Sequence, residues 1–268
     1  MNTSSKSLKM ALLAACLTGT APAAFAQAFD AVRLFGAAPT EGRGTVGVAA
    51  FFGHEYQGSD ERRTMAVPLL DYRWANGWFA GTSNGIGYDF SSNPYMNYGL
   101  RLTADLGRKE NRSAALKGMG DIDAKAEVGG FFNYAVSPDM VLTSSLRYGS
   151  GNAKKNLLLD LGAAYSTTLS PGWRLGLGVA ATYINADAMQ GNFGVNAAQS
   201  ARSGYAVYAP KAGIRDVRAS ASLTYQLSAR MAITTAVSAS SLQGDAKHSP
   251  LTREANGVSG VLALSYGF

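Results

Sequence analysis

Very little in this 268-residue sequence could build a covalent or metal framework: it has one cysteine and two histidines. A disulfide-stapled scaffold and a Cys/His zinc fold are therefore excluded. Charge is scarce too, at 16% of residues, and the formal net charge of +6 is scattered with no Lys/Arg-rich block. That pattern carries no nucleic-acid footprint, so no nucleic-acid partner is expected. After the N-terminal region no apolar run approaches the roughly 18 residues that a spanning helix needs, which excludes a helical membrane protein. Gly-rich phosphate loops and CxxC pairs are also missing. With 47% hydrophobic residues the chain is not of the disordered class. What it has in quantity is glycine, 31 residues, together with 13 Tyr, 11 Phe and 3 Trp. This fits a β-rich protein with sharp turns and exposed rings.

The N-terminus reads as a secretory signal peptide spanning residues 1–26. Lys6 and Lys9 precede a short apolar core from Met10 to Gly19, and Ala24-Phe25-Ala26 forms a cleavage site. The mature chain is then expected to begin at Gln27, free of cysteine. Leu13-Ala14-Ala15-Cys16 also matches a lipoprotein box, but it would leave only Met10, Ala11 and Leu12 as the apolar core. Residues 27–43 form an expected periplasmic segment and residues 44–268 the main domain.

That domain is patterned with period two. Trp173, Leu175, Leu177, Val179, Ala181 and Tyr183 alternate with Arg174, Gly176, Gly178, Ala180 and Thr182. Ala219, Ala221, Leu223, Tyr225 and Leu227 alternate with Ser220, Ser222, Thr224 and Gln226. Successive side chains on a strand point to opposite faces, so each segment has an apolar face and a small or polar one. A soluble sandwich gives the same alternation. Strands of about ten residues or more are what a tilted membrane-spanning strand requires. Turn residues divide the chain into about twelve strands, near 44–54, 65–74, 77–83, 85–91, 96–108, 124–137, 139–149, 156–169, 172–185, 211–228, 230–242 and 255–268. Tight turns alternate with longer loops near 55–64, 109–123, 186–210 and 243–254, the asymmetry of an outer-membrane barrel. The expected fold is all-β, a closed antiparallel transmembrane β-barrel of about 12 strands with a small, largely uncharged inner face. Arg101, Arg108, Arg147 and Arg174 are expected to face the lumen or its rim. Trp74, Trp78, Tyr95 and Trp173 fall beside tight turns, where an interfacial girdle would sit.

The C-terminus alternates Val258, Gly260, Leu262, Leu264, Tyr266 and Phe268 up to a terminal aromatic carboxylate. Leu264, Tyr266 and Phe268 are therefore expected to act as an assembly signal read by the outer-membrane assembly machinery.

The run Glu55-Tyr56-Gln57-Gly58-Ser59-Asp60 resembles the first-loop motif of the MipA/OmpV family of outer-membrane proteins. Further pieces follow in the family's order: Pro68; Gly85-Ile86-Gly87-Tyr88; Gly107-Arg108; Gly118-Met119-Gly120-Asp121; Phe193-Gly194-Val195; Ser203-Gly204; Ala212-Gly213; Gly244-Asp245-Ala246; Ser249-Pro250. The resemblance implies a barrel embedded in outer-membrane lipid. One branch of the family is named for binding a lytic transglycosylase and bridging it to a murein synthase, and another is associated with osmotic response and adhesion. On the implied role the chain is an envelope scaffold linking murein enzymes to the outer membrane. A narrow pore for small solutes and an adhesion or osmotic-response barrel are the alternatives.

No catalytic, cofactor or metal residues are assigned. Barrel closure pairs the first strand with the last, which should bring His54, Glu55 and Asp60 near Asp245, His248 and Ser249. A Ser, a His and a carboxylate are the parts of a lipid-acting hydrolase, and His with carboxylates can bind a divalent metal. Nothing in the spacing fixes either arrangement, so loop packing is the expected role and no enzymatic activity is expected. Gly118 to Asp123 has alternating acids but lacks the rest of a calcium loop, and reads as a turn.

Overall fold

The computed structural model describes residues 41–268; the expected signal peptide and residues 27–40 lie outside the described residues. Twelve antiparallel strands close into one barrel: β1 (Arg43–His54), β2 (Arg62–Arg73), β3 (Trp78–Gly81), β4 (Gly85–Asp89), β5 (Met96–Asp105), β6 (Lys125–Ala135), β7 (Met140–Ser150), β8 (Asn156–Ser170), β9 (Trp173–Ile184), β10 (Gly213–Gln226), β11 (Met231–Leu242) and β12 (Asn256–Gly267). Each strand pairs with its sequence neighbour, and β1 pairs with β12 from Thr45 opposite Gly267 to Phe52 opposite Gly260. The backbone of Phe268 extends this seam, exchanging hydrogen bonds with Gly44 at 2.9 and 3.0 Å. The Phe268 ring lies over Gly44, where a Cβ would come within 2.3 Å of it.

The alternation read from the sequence sorts side chains between two solvents. Outward positions carry Val48, Leu100, Leu102, Val128, Leu161, Val179 and Leu262, all about half exposed. A continuous apolar belt of this kind is unfavourable in water and favourable in hydrocarbon, so the strands span a membrane. Backbone polarity demands the same conclusion, since only a closed ladder satisfies every N–H and C=O away from water. Beside the tight turns lies a chain of rings, with Trp78–Tyr88 at 5.4 Å, Tyr88–Phe90 at 5.1 Å and Trp173–Tyr225 at 4.5 Å between centroids. Trp74 and Tyr95 are exposed in the same band.

Inward positions divide into two walls. On β1, β2, β11 and β12 a buried cluster of Ala49, Phe51, Leu69, Ala236, Val261 and Ala263 dominates, with Thr234 and Ser238 buried on the same face of β11. On β5 to β10 the inward positions carry charge, which corrects the expectation of an uncharged inner face. Glu127, fully buried, accepts from Arg147 at 3.3 Å, and Arg147 reaches Asp160 at 2.8 Å. Asp160 also accepts from Thr182 at 2.7 Å and Arg218 at 3.2 Å, while Arg218 and Arg215 both bond Asp216 at 2.6 Å. The β9–β10 register slips between Ile214 and Asp216, and this bulge lets the adjacent Arg215 and Asp216 both be buried. Arg101 and Arg147 thus face inward as expected, Arg101 donating to Ser145 at 2.8 Å.

One stretch of wall is low. β3 and β4 are shorter than the sequence suggested, and β2 pairs with β3 only from Asp71 opposite Gly81 to Arg73 opposite Phe79. Beyond Leu70, whose N–H and C=O bond Thr82, the far edge of β2 has no strand beside it. Pro68, two residues from Leu70, presents its backbone to that same side.

Candidate functional site

The loops opposite the tight turns do not stand free; they interlock over the mouth. The segment after β9 holds two helices, α1 (Ala186–Phe193) and α2 (Ala197–Ser203). The sequence reading saw only a glycine-bearing loop here. The signal it passed over is local: Asn185 caps α1, and Asn196 with Gln199 forms a reciprocal capping box on α2. Gly204 ends α2 in the left-handed conformation at φ +80° instead of loosening the loop. The loop after β11 opens with a single helical turn, α3 (Gly244–Lys247).

Apolar side chains glue these pieces. Met189 and Phe193 of α1 pack with Leu158, Ile184, Leu242 and Ala246. Met119, Val195 and Leu251 form a second cluster, and Tyr56 packs with Ala115 and Leu116 in a third. Side chain to backbone bonds then lock one loop to another. Tyr56 donates to Leu251 O at 2.9 Å, Tyr205 to Ala115 O at 3.1 Å, and Tyr208 to Asp245 O at 2.8 Å. Gln199 donates to Met119 O at 2.8 Å, Arg202 to Gly118 O at 3.1 Å, and Ser249 to Phe193 O at 2.6 Å. Burial pushes the Tyr56 hydroxyl up to about 12.

The first and last loops do meet, but through other residues: Gly58 O accepts the N–H groups of Arg253 at 2.7 Å and Glu254 at 3.1 Å, and among the described residues no hydrogen bond or ion pair joins His54, Glu55 or Asp60 to Asp245, His248 or Ser249. Their side chains are spent on loop structure. Glu55 pairs with Arg63 at 3.3 Å and Arg112 at 3.7 Å, and buried Ser59 accepts from Glu61 N–H at 3.0 Å. Asp60 is exposed. His54 Nδ1 lies 2.5 Å from Ser59 O, and exposed His248 Nδ1 lies 2.8 Å from Gly244 O. Asp245 accepts from Lys211 N–H at 2.7 Å, Gly244 opens α3, and Pro250 follows the Ser249 latch at the edge of the cluster. Ser249 therefore spends its hydroxyl proton on a carbonyl and not on a histidine. Among the described residues no three His, Cys, Asp or Glu side chains gather as a metal site. Gly118-Met119-Gly120 is the turn expected, with the N–H groups of Gly118 and Gly120 donating to Glu110 at 2.7 and 2.8 Å and Asp121 paired to Lys109 at 3.0 Å. At the other end of the chain, Leu264, Tyr266 and Phe268 point outward, alternating with the buried Ala263 and Val261.

Two hollows lie beneath the cap. One, a small cavity of about 30 Å³, is bordered by Tyr56, Gln57, Arg108, Arg112, Asn192 and Phe193. The other, of about 40 Å³, is bordered by His54, Gln57, Asp216, Leu242 and Ser259. Arg108, which the sequence placed in the lumen or at its rim, lies in the first, where burial lowers it to about 10 and leaves it cationic at neutral pH. The hollows depend on residues far apart in sequence, so no local motif announced them.

A family model described as MltA-interacting protein MipA matches residues 46–268. Among solved structures the chain is similar to the KdgM porin, at 10% identity and TM-score 0.46, covering 84% of this chain and 99% of that one. It is similar to the NanC porin at 10% identity and TM-score 0.48, covering 82% and 98%. The outer membrane channel DcaP of Acinetobacter baumannii gives 10% identity and TM-score 0.41, over 85% and 96%. No curated protein matches the chain.

Proposed function

This chain belongs to the MltA-interacting protein MipA family, and from that membership we propose that it is an envelope interaction protein that ties murein-processing enzymes to the outer membrane. The observation that carries the reading is the cap. Four loops are latched to one another by tyrosine, glutamine, arginine and serine side chains, so the mouth opposite the tight turns is closed by ordered structure. A barrel that serves as an open conduit has no use for such a lid, whereas a barrel that serves as an anchor does. The expected partners are a lytic transglycosylase and a murein synthase, which would meet the barrel at its periplasmic turns. Those turns expose Asn93, Pro94, Asp139, Pro171 and Arg230. Envelope address and processing before Gln27 belong to the same reading.

Capture from solubilised envelopes with the full-length barrel tests this directly. Enrichment of either enzyme class, reduced by Asp139→Lys together with Arg230→Glu, supports it. Failure to enrich either class overturns it. Steady conductance in planar bilayers would select the alternative, passage of small solutes, instead.

A further inference from the structure

Three arginines inside this protein are answered by acids, and Arg108 is not. Arg147, Arg215 and Arg218 each bond a carboxylate at 2.6 to 3.3 Å. Arg108 bonds none among the described residues. Its Nη1 donates to Asn192 O at 2.9 Å, while its Nε is out of contact with solvent and has no acceptor. The acids nearest in the lining are committed elsewhere: Glu55 to Arg63 and Arg112, and Asp105 to the N–H of Gly107 at 2.9 Å. A second donor, Gln57 Nε2, is likewise buried with no acceptor, and Gln57 borders the same hollow.

Two sequestered donors without acceptors, one of them cationic, are costly to keep. What both lack is lone pairs, and what Arg108 lacks is negative charge. A guanidinium with its Nε edge free presents the side-on fork that fits a carboxylate or phosphate through two parallel N–H bonds. Leu116 and Phe193 in the same lining offer an apolar surface for the body that carries such a group.

We propose that this hollow binds a small solute through its oxyanion, a carboxylate or phosphate, held by Arg108 with Gln57 donating beside it. The site is independent of any murein enzyme at the periplasmic rim, so either reading can fail without the other.

The test is calorimetric titration of the full-length barrel, folded in neutral detergent at low ionic strength, with sodium glucuronate, inorganic phosphate and glucose. Glucuronate, phosphate or both should bind and glucose should not. Arg108→Gln should weaken the anion at least tenfold and Gln57→Leu about threefold, while Arg174→Gln near the tight turns should leave it unchanged. A heat-shifted gel band checks that each variant is folded; should Arg108→Gln not fold, the Gln57→Leu comparison decides. No heat from either anion, equal affinity in the variants, or binding seen only with phosphatidic acid vesicles, which would mark a lipid headgroup site, overturns the proposal.

Discussion

The two inner walls of this barrel solve one problem in opposite ways. On β1, β2, β11 and β12 most of the buried inward residues are Ala, Leu, Val and Phe packed against one another. On β6 to β10 the same inward positions hold Glu127, Arg147, Asp160, Asp216 and Arg218, joined carboxylate to guanidinium. Dry packing tolerates gradual loss, because each methylene contributes a small share. A charge relay does not. Removing one member leaves the remaining charges buried with fewer partners. The comparison teaches that the barrel is brittle on one side and forgiving on the other, although both sides are built from one strand pattern.

The largest blow to that contrast should come from Asp160→Ala. It deprives Arg147 and Arg218 of a shared acceptor, and a loss of about 3–5 kcal/mol is expected from the urea midpoint of the barrel refolded in vesicles. A loss below about 1 kcal/mol would erase the distinction between the walls. Phe51→Ala probes the dry wall, where the ring is fully buried and lies over Gly53. A cavity there should cost about 3 kcal/mol in the same assay. Pairing it with Val261→Ala sharpens the picture, since losses on a dry wall should grow with the volume removed.

Smaller effects belong to the cap. Tyr56→Phe removes the bond to Leu251 and should cost about 1 kcal/mol. The pH behaviour follows with its sign. The folded hydroxyl ionises near 12 and an unfolded one near 10, so folded-state stability is intact below pH 10 and falls as pH rises from 10 to 12. Proteolysis of the loops across that range should accelerate in the parent and lose this added slope in Tyr56→Phe. Least disruptive is Ala198→Cys on the exposed face of α2, which should leave stability unchanged. On the proposed processing before Gln27, which removes Cys16, it supplies the sole thiol and should react with a membrane-impermeant maleimide on intact cells. Protection until the outer membrane is permeabilised would turn the barrel over.

The strands were legible in the sequence because their signal is local. Alternation such as Trp173 to Tyr183 depends only on neighbours two residues apart, and both ends of β9 match to within a residue or so. The contact between the first and last loops was legible too, because closure dictates it. The charge relay was hidden. Glu127, Asp160 and Asp216 are isolated in the chain; the pairing of Asp160 with Thr182 and of Thr182 with Asp216 brings two of them together, and Arg147 of β7 reaches from Asp160 to Glu127. The helices of the cap were missed for a different reason: they are short, and their evidence is in the caps and not in periodic hydrophobicity. Arg108 was visible as a cation, but its solitude was not, because that depends on where every acid in the lining has gone.

The low hairpin has its own consequence. A strand edge with no neighbour is a template on which another extended chain can anneal, and this is the usual route from a sheet to an aggregate. Above Leu70 the far edge of β2 is such a template, and Pro68 is placed on it. Proline has no N–H to offer, so a chain laid along that edge meets a gap in the ladder two residues above Thr82. In an interior strand the same residue would be a defect. Here it acts as a guard, making this margin of β2 a poor surface for growth.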